Sequence, residues 1–223
     1  MTIKAFIFDC NGVLLREGDL SPYTDWELRL GLEPGRLATC LWGSETCKLA
    51  EVGKLTDAEY WRAVAAEVGV SAPDDVEALH DSIGQTWVLD EQVLALVDRL
   101  RARYRIAMLS NATDGLEALL TTRFQVADRF EVLGNSARLG VAKPDPAAFR
   151  AVLSQLGLKP EEVVFVDDRA ANISAAAALG MHVIWYVNAR ELERQLGVYL
   201  GSPLARNGAA VAAPRETATD DKD

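Results

Sequence analysis

A chain of 223 residues has room for one or two domains. With 49% hydrophobic and 25% charged residues it is not a disordered chain, and no apolar run approaches the ~20 residues of a membrane span. Lys and Arg total 23 against 33 Asp and Glu, a net charge of −10, which argues against a nonspecific nucleic-acid or anionic-membrane partner and leaves a small molecule as the expected one.

The opening segment MTIKAFIFDC lacks the basic region and small-residue cleavage site of a signal peptide. Cys10, Cys40 and Cys47 form no spaced framework, so reduced thiols and a cytoplasmic setting are expected. Residues 3–8 read as a buried strand ending at Asp9, with a turn at Gly12. Residues 20–89 then read as a helical insertion, with no strand in it. Thr56 and Glu59 form a capping box, Trp61, Val64, Ala65 and Val68 follow at helical spacing, and Gly69 supplies a stop. Pro22, Pro34 and Pro73 lie near other helix starts. Trp26, Trp42, Trp61 and Trp87 are expected in the core of this insertion, one of them bordering a ligand. His80 reads as a helix-surface residue and His182 as a strand residue.

After residue 90 strands and helices alternate. Asp90 caps a helix carrying Val93, Leu96, Val97 and Leu100. A strand over 105–109 ends in Ser110-Asn111, and a helix with Leu116, Leu119 and Leu120 follows. A short strand spans 130–133. Asp145 and Pro146 open a helix that Gly157 ends. The apolar strand 163–166 ends in Asp167-Asp168, an alanine-rich helix runs to Gly180, and residues 182–187 form a last strand. Residues 201–223 lack periodicity and read as a flexible tail. The pattern gives an α/β core over 1–19 and 90–200, interrupted by the insertion at 20–89. Alternating elements imply a mainly parallel sheet, and such sheets bind ligands beyond the carboxyl ends of their strands.

Polar residues gather at those ends: Asp9, Asn11, Ser110, Asn111, Asp167 and Asp168. Asp9 can be a metal ligand or a nucleophile that forms an aspartyl phosphate, although alone it reads as a turn cap. Adjacent acids at Asp167 and Asp168 need donors, water or a cation, and Mg²⁺ suits hard oxygen ligands. Asp168 alone could merely cap the next helix. Ser110 and Asn111 can donate to phosphate oxygens. Lys143, held by the Lys-Pro-Asp-Pro turn, can offset charge on a phosphate and on Asp9, although a lone lysine is ordinarily solvated. Together, and in this order, these groups supply what phosphoryl transfer needs.

Four segments carry a family resemblance: FIFDCNGVLL from Phe6, LSNAT from Leu109, AKPDPAAF from Ala142, and VFVDDRAANISAAAALGM from Val164. They resemble the haloacid dehalogenase-like (HAD) hydrolase superfamily over nearly the whole chain except the tail. The resemblance implies a Rossmann-like parallel sheet flanked by helices, with a small helical cap of the first insertion class (C1). WGSETCKLAEVGKLTDAEYW and VDDRAAN look like the subgroup of bacterial α-D-glucose-1-phosphate phosphatases. By the same resemblance Asp9 attacks phosphorus, Ser110 holds a phosphoryl oxygen, and Lys143 orients Asp9. Asp168 and the Asn11 backbone carbonyl bind Mg²⁺ beside Asp9, with Asp167 and Asn172 in the metal's inner or outer shell.

One departure matters. Most phosphatases of the superfamily carry a second aspartate where this chain has Asn11, and an amide cannot exchange protons with a leaving group. A sugar 1-phosphate, whose anomeric alkoxide leaves more readily than an ordinary one, suits such a site. Two alternatives stay open: a metal-free 2-haloacid dehalogenase in which Asp9 attacks carbon, and a phosphometabolite sensor with an impaired site.

Overall fold

The computed structural model describes residues 2–200, so the tail expected at 201–223 lies outside the described residues. Five parallel strands form one sheet: β1 (Ala5–Phe8), β4 (Arg105–Ser110), β5 (Val132–Asn135), β6 (Val163–Asp167) and β7 (His182–Trp185). Their order is β5-β4-β1-β6-β7, which puts β1 in the centre between β4 and β6. The direction of chain progression reverses at β1, the kind of place where open α/β sheets form a crevice.

Alternation of side chains explains why both faces are buried. Phe6, Phe8, Val164 and Val166 pack on one face, with Val93, Val97 and Leu100 of α6 (Glu91–Arg101) and Leu192 and Leu196 of α11 (Ala189–Leu200). Ala5, Ile7, Val163 and Phe165 point to the other, against Phe149 and Val152 of α9 (Pro146–Leu156) and Ala176 of α10 (Ala170–Ala178). Each fully buried Phe contributes ~1.5–3 kcal/mol of transfer free energy, so β1 and β6 are firm supports for whatever stands at their ends. Local signals agree with the packing. The Asp145 side chain accepts from Ala147 N–H at the start of α9, and Gly157 ends the helix in the left-handed region.

Helices α1 (Ser21–Leu30), α2 (Arg36–Leu41), α3 (Glu45–Glu51), α4 (Asp57–Glu67) and α5 (Pro73–Gly84) pack around a separate core of Trp26, Leu37, Leu41, Tyr60, Val64 and Leu79. The Thr56–Glu59 capping box is present at the start of α4.

Four local details differ from expectation. β2 (Leu15–Glu17) and β3 (Trp87–Leu89) pair antiparallel, so a two-stranded ribbon joins the helical lobe to the sheet where no strand was expected. Each strand has only three residues, too few for a period-two signal to show. The strand expected at 130–133 runs Val132–Asn135, and the last strand stops at Trp185. The helix after Asn111 is one turn, α7 (Leu116–Ala118), continued as a π-helical segment over Leu119–Arg123. Among the described residues no helix is long and apolar enough to cross a membrane.

Candidate active site

The carboxyl ends of β1, β4 and β6 bring the predicted acids together. Asp9 follows Phe8 directly and is 5% exposed. Its Oδ1 accepts from the Cys10 backbone N–H at 2.7 Å and lies 2.8 Å from Lys143 Nζ. Both contacts fall on Oδ1, which leaves Oδ2 without a bonded partner among the described residues. Lys143, read alone as a solvated lysine, has a side chain 1% exposed and reaches Asp167 Oδ2 as well, at 2.8 Å. Asp167 is fully engaged: Asn172 Nδ2 donates to both its oxygens at 3.0 Å, and the Arg169 backbone N–H donates to Oδ1 at 2.8 Å. Asn111 is engaged too. Its amide donates to the Lys143 carbonyl, and its oxygen accepts from the Lys143 N–H, both at 2.8 Å. The side chain expected to hold phosphate thus fastens the lysine loop to the end of β4.

At this site two buried polar atoms, the Ser110 hydroxyl and Asp168 Oδ1, have no hydrogen-bond partner among the described residues. Orphaned polar atoms of this kind are costly unless a ligand engages them. The carboxylate oxygens of Asp9, Asp167 and Asp168 lie within 4.8 Å of one another. Oxygen donors, an unpartnered Oδ1 and excess negative charge fit Mg²⁺. Because Asp167 is already engaged by Lys143, Asn172 and the Arg169 amide, Asp9 and Asp168 have the carboxylate oxygens freer to hold such an ion. Gly12 makes room for this. Its φ is +89°, and a Cβ there would come within 2.4 Å of Asp168 Oδ2.

The electrostatics follow the burial. Burial pushes the Asp9 carboxyl up to about 7, against the pull of Lys143 and with the help of the Asp167 charge. Burial pulls the Lys143 ammonium down, but the charges of Asp9 and Asp167 outweigh it and leave Lys143 above its ordinary value. Burial, then the neighbouring Asp167, raises Asp168. Cys10 is buried and its thiol is pushed far up, first by burial and then by Asp9, so it is an unreactive packing group.

A polar cavity of about 350 Å³ opens over Asp9, lined by Asn11, Gly12, Asn111, Lys143, Asp168 and Asn172. Ser110 ends β4 fully buried beneath it and is not part of the lining. Of the remaining lining, the roof, only a bordering tryptophan was foreseen. Arg16, Glu17 and Trp87 come from the β2–β3 ribbon, Trp42 and Glu51 from the helical lobe, and Arg169 from the loop after Asp168. Burial raises the Glu51 carboxyl, while Arg169 draws it down. Three of the four tryptophans assigned to the insertion's core, Trp42, Trp61 and Trp87, line cavities. Only Trp26 is confined to the core. His80 keeps its side chain 45% exposed on the helix surface, as expected, and also lies tilted against Trp61, with ring centroids 4.7 Å apart, at the edge of a cavity.

Comparison with known proteins bears on the family and the fold. The family model described as haloacid dehalogenase-like hydrolase matches residues 3–180. A drimenol cyclase from Aspergillus calidoustus is 30% identical over 168 residues, 70% of this chain but only 30% of the cyclase's length. A sesquiterpene phosphatase from Aspergillus oryzae is 28% identical over 81% of this chain and 88% of its own. The crystal structure of a HAD-family enzyme from Bacteroides thetaiotaomicron superposes with a TM-score of 0.74 at 23% identity, covering 88% of this chain and 99% of that one. The same enzyme in its magnesium complex gives 0.68 at 26% identity, covering 82% and 93%.

Proposed function

The chain belongs to the haloacid dehalogenase-like hydrolases, and on that premise we propose that it is a Mg²⁺-dependent phosphomonoesterase of small phosphorylated metabolites, working through Asp9. The observation that carries this reading is the division of labour on the Asp9 carboxylate. Oδ1 is held by Lys143 and the Cys10 amide, and Oδ2 is left to attack. Relatives named as phosphatases support the same reaction class.

In this reading Asp9 Oδ2 adds to phosphorus, the bond from phosphorus to the ester oxygen breaks, and the organic group departs as its oxyanion, taking a proton from water. Water then attacks the phosphorus of the aspartyl phosphate, the bond to Asp9 breaks, and phosphate leaves with the carboxylate restored. Lys143 keeps Asp9 aligned and screens the developing charge, and the Asp167–Asn172 pair holds Lys143 in place. The Ser110 hydroxyl donates to a phosphoryl oxygen. Asp9, Asp168 and the Asn11 backbone carbonyl would hold Mg²⁺, which when bound would supply neutralisation of phosphoryl charge. Residues 20–89 act as a C1-type cap over the core of 1–19 and 90–200, and the roof residues Trp42 and Glu51 exclude bulk water when it closes.

The dehalogenase alternative gives the unpartnered Asp168 Oδ1 no task, which favours the phosphatase. Trapping tests the reading directly. Protein quenched in acid during turnover of p-nitrophenyl phosphate and reduced with borohydride carries homoserine at position 9. Sustained phosphate release with no modification at Asp9 would overturn it.

A further inference from the structure

A second cavity, of about 320 Å³, lies beside the polar one, and Asn11, Trp42, Glu51, Trp87 and Asn111 line both. We infer that this cavity takes the organic group of the phosphate ester, and that the preferred substrates carry an apolar group, aromatic or long-chain aliphatic. The inference rests on the phosphatase reading for the place of the phosphoryl group and goes beyond it in naming the substrate class.

The walls are the first argument. Trp42, Trp61, Trp87, Ile83, Leu116 and Leu119 surround the space. Trp42 and Trp87 meet edge to face with centroids 5.8 Å apart, at the passage between the two cavities. Rigid aromatic walls of this kind recognise flat or flexible apolar groups. The hydroxyl groups of the lining, Tyr60, Thr113 and Thr122, are the second argument, because each is engaged with protein. The Thr113 hydroxyl donates to Asp57 Oδ1 at 2.5 Å, the Thr122 hydroxyl to the Ala118 carbonyl at 2.7 Å, and the Tyr60 hydroxyl to the Leu41 carbonyl at 2.6 Å. A ligand rich in hydroxyls would lose water here and find these partners already taken. The shape of the lobe junction is the third. The π-helical segment Leu119–Arg123 places Leu119 and Thr122 on the cavity wall, and widened turns of this kind recur at binding sites. Chemistry adds a fourth: with Asn11 in place of an acid, an aryl oxyanion departs more readily than an alkoxide, and an aromatic wall is where an aryl group would rest.

The test uses the intact protein with Mg²⁺ and a homologous series of n-alkyl phosphates from ethyl to octyl, with phenyl, 1-naphthyl and glucose 1-phosphates beside it. kcat/KM should rise two- to fourfold per methylene until the cavity is full, and 1-naphthyl phosphate should exceed glucose 1-phosphate. In parallel, n-alkylphosphonates are titrated against intrinsic tryptophan fluorescence, since three tryptophans line the space. Their Kd should fall by the same factor per methylene. Leu119→Asn should flatten both slopes, and the wild-type slopes stand by themselves if that variant does not fold. Phosphate release with a flat or falling series overturns the apolar subsite and leaves the phosphatase reading intact. A binding slope without release from any ester supports the subsite and overturns the phosphatase. Neither slope nor release overturns both.

Discussion

Replacing Lys143 with Met isolates the electrostatics of the site. The side chain is 1% exposed and makes two ion pairs at 2.8 Å, to Asp9 and Asp167. Methionine keeps much of its volume and removes its charge. Breaking a buried pair by deleting one partner costs ~3–5 kcal/mol, because the other charge stays buried and uncompensated. For a protein of this size that is a fall of roughly 6–20 °C in melting midpoint. The pH dependence carries the sharper prediction. Asp9 already stands at about 7 because burial disfavours its charged form, and losing the ammonium raises it further. A carboxyl whose folded value exceeds its unfolded value favours the fold fully below the unfolded value, near 4. That contribution is lost as pH rises through the folded value. The deficit of Lys143→Met relative to wild type should therefore be largest at pH 8 and shrink towards pH 5. Urea unfolding followed by circular dichroism at both pH values, without metal, measures it. A deficit below ~1 kcal/mol at pH 8, or one unchanged at pH 5, would refute the reasoning, since buried pairs normally cost several times that to break.

Other expectations follow from the same geometry. Mg²⁺ should raise the melting midpoint more at pH 8 than at pH 5.5, because protons compete for Asp9 and Asp168, both raised by burial. Thermal shift with and without EDTA reads this directly, and an equal shift at both pH values contradicts it. Gly12→Ala forces Asp168 to move by about 1 Å, since the new Cβ would lie 2.4 Å from its Oδ2, and a misplacement of that size costs on the order of 10²-fold in kcat/KM. A loss of less than threefold would mean that the Asp168 position is not critical. Asn11→Asp supplies the missing proton donor and should raise kcat for alkyl phosphates on the order of 10²-fold, with a much smaller gain for aryl phosphates, whose leaving groups need less protonation. Equal gains for both would show that Asn11 does not govern departure of the leaving group.

The sheet was legible because its strands are buried on both faces and so read as unbroken apolar runs ending in polar residues. Asp9, Ser110 and Asp167 stand at those ends in the structure as their sequence positions implied. What could not be read was anything decided by packing between distant segments. Lys143 was expected beside Asp9, but its second ion pair, to Asp167, and the near-complete burial that the two pairs support had no trace in the local sequence. The engagement of the Asn111 amide with the Lys143 backbone is a contact across 32 residues of chain. Glu51 is a subtler case. Gly53, with φ +71°, follows it, and a Cβ there would come within 2.2 Å of the Ala137 carbonyl oxygen, so only glycine lets the end of α3 approach α8 (Ser136–Leu139) this closely. That approach places Glu51 over the polar cavity, and the Glu-Val-Gly sequence was its sole visible trace.

The central claim is that Asp9 is the nucleophile of a Mg²⁺-dependent phosphatase. Inorganic phosphate release from a panel of sugar, nucleotide, alkyl and aryl phosphates, with Mg²⁺ and with EDTA, and with Asp9→Asn beside the wild type, tests it most directly. The account predicts release that requires Mg²⁺ and disappears in Asp9→Asn. Release that survives EDTA or the substitution, or a folded, Mg²⁺-loaded protein silent across the panel, would contradict it.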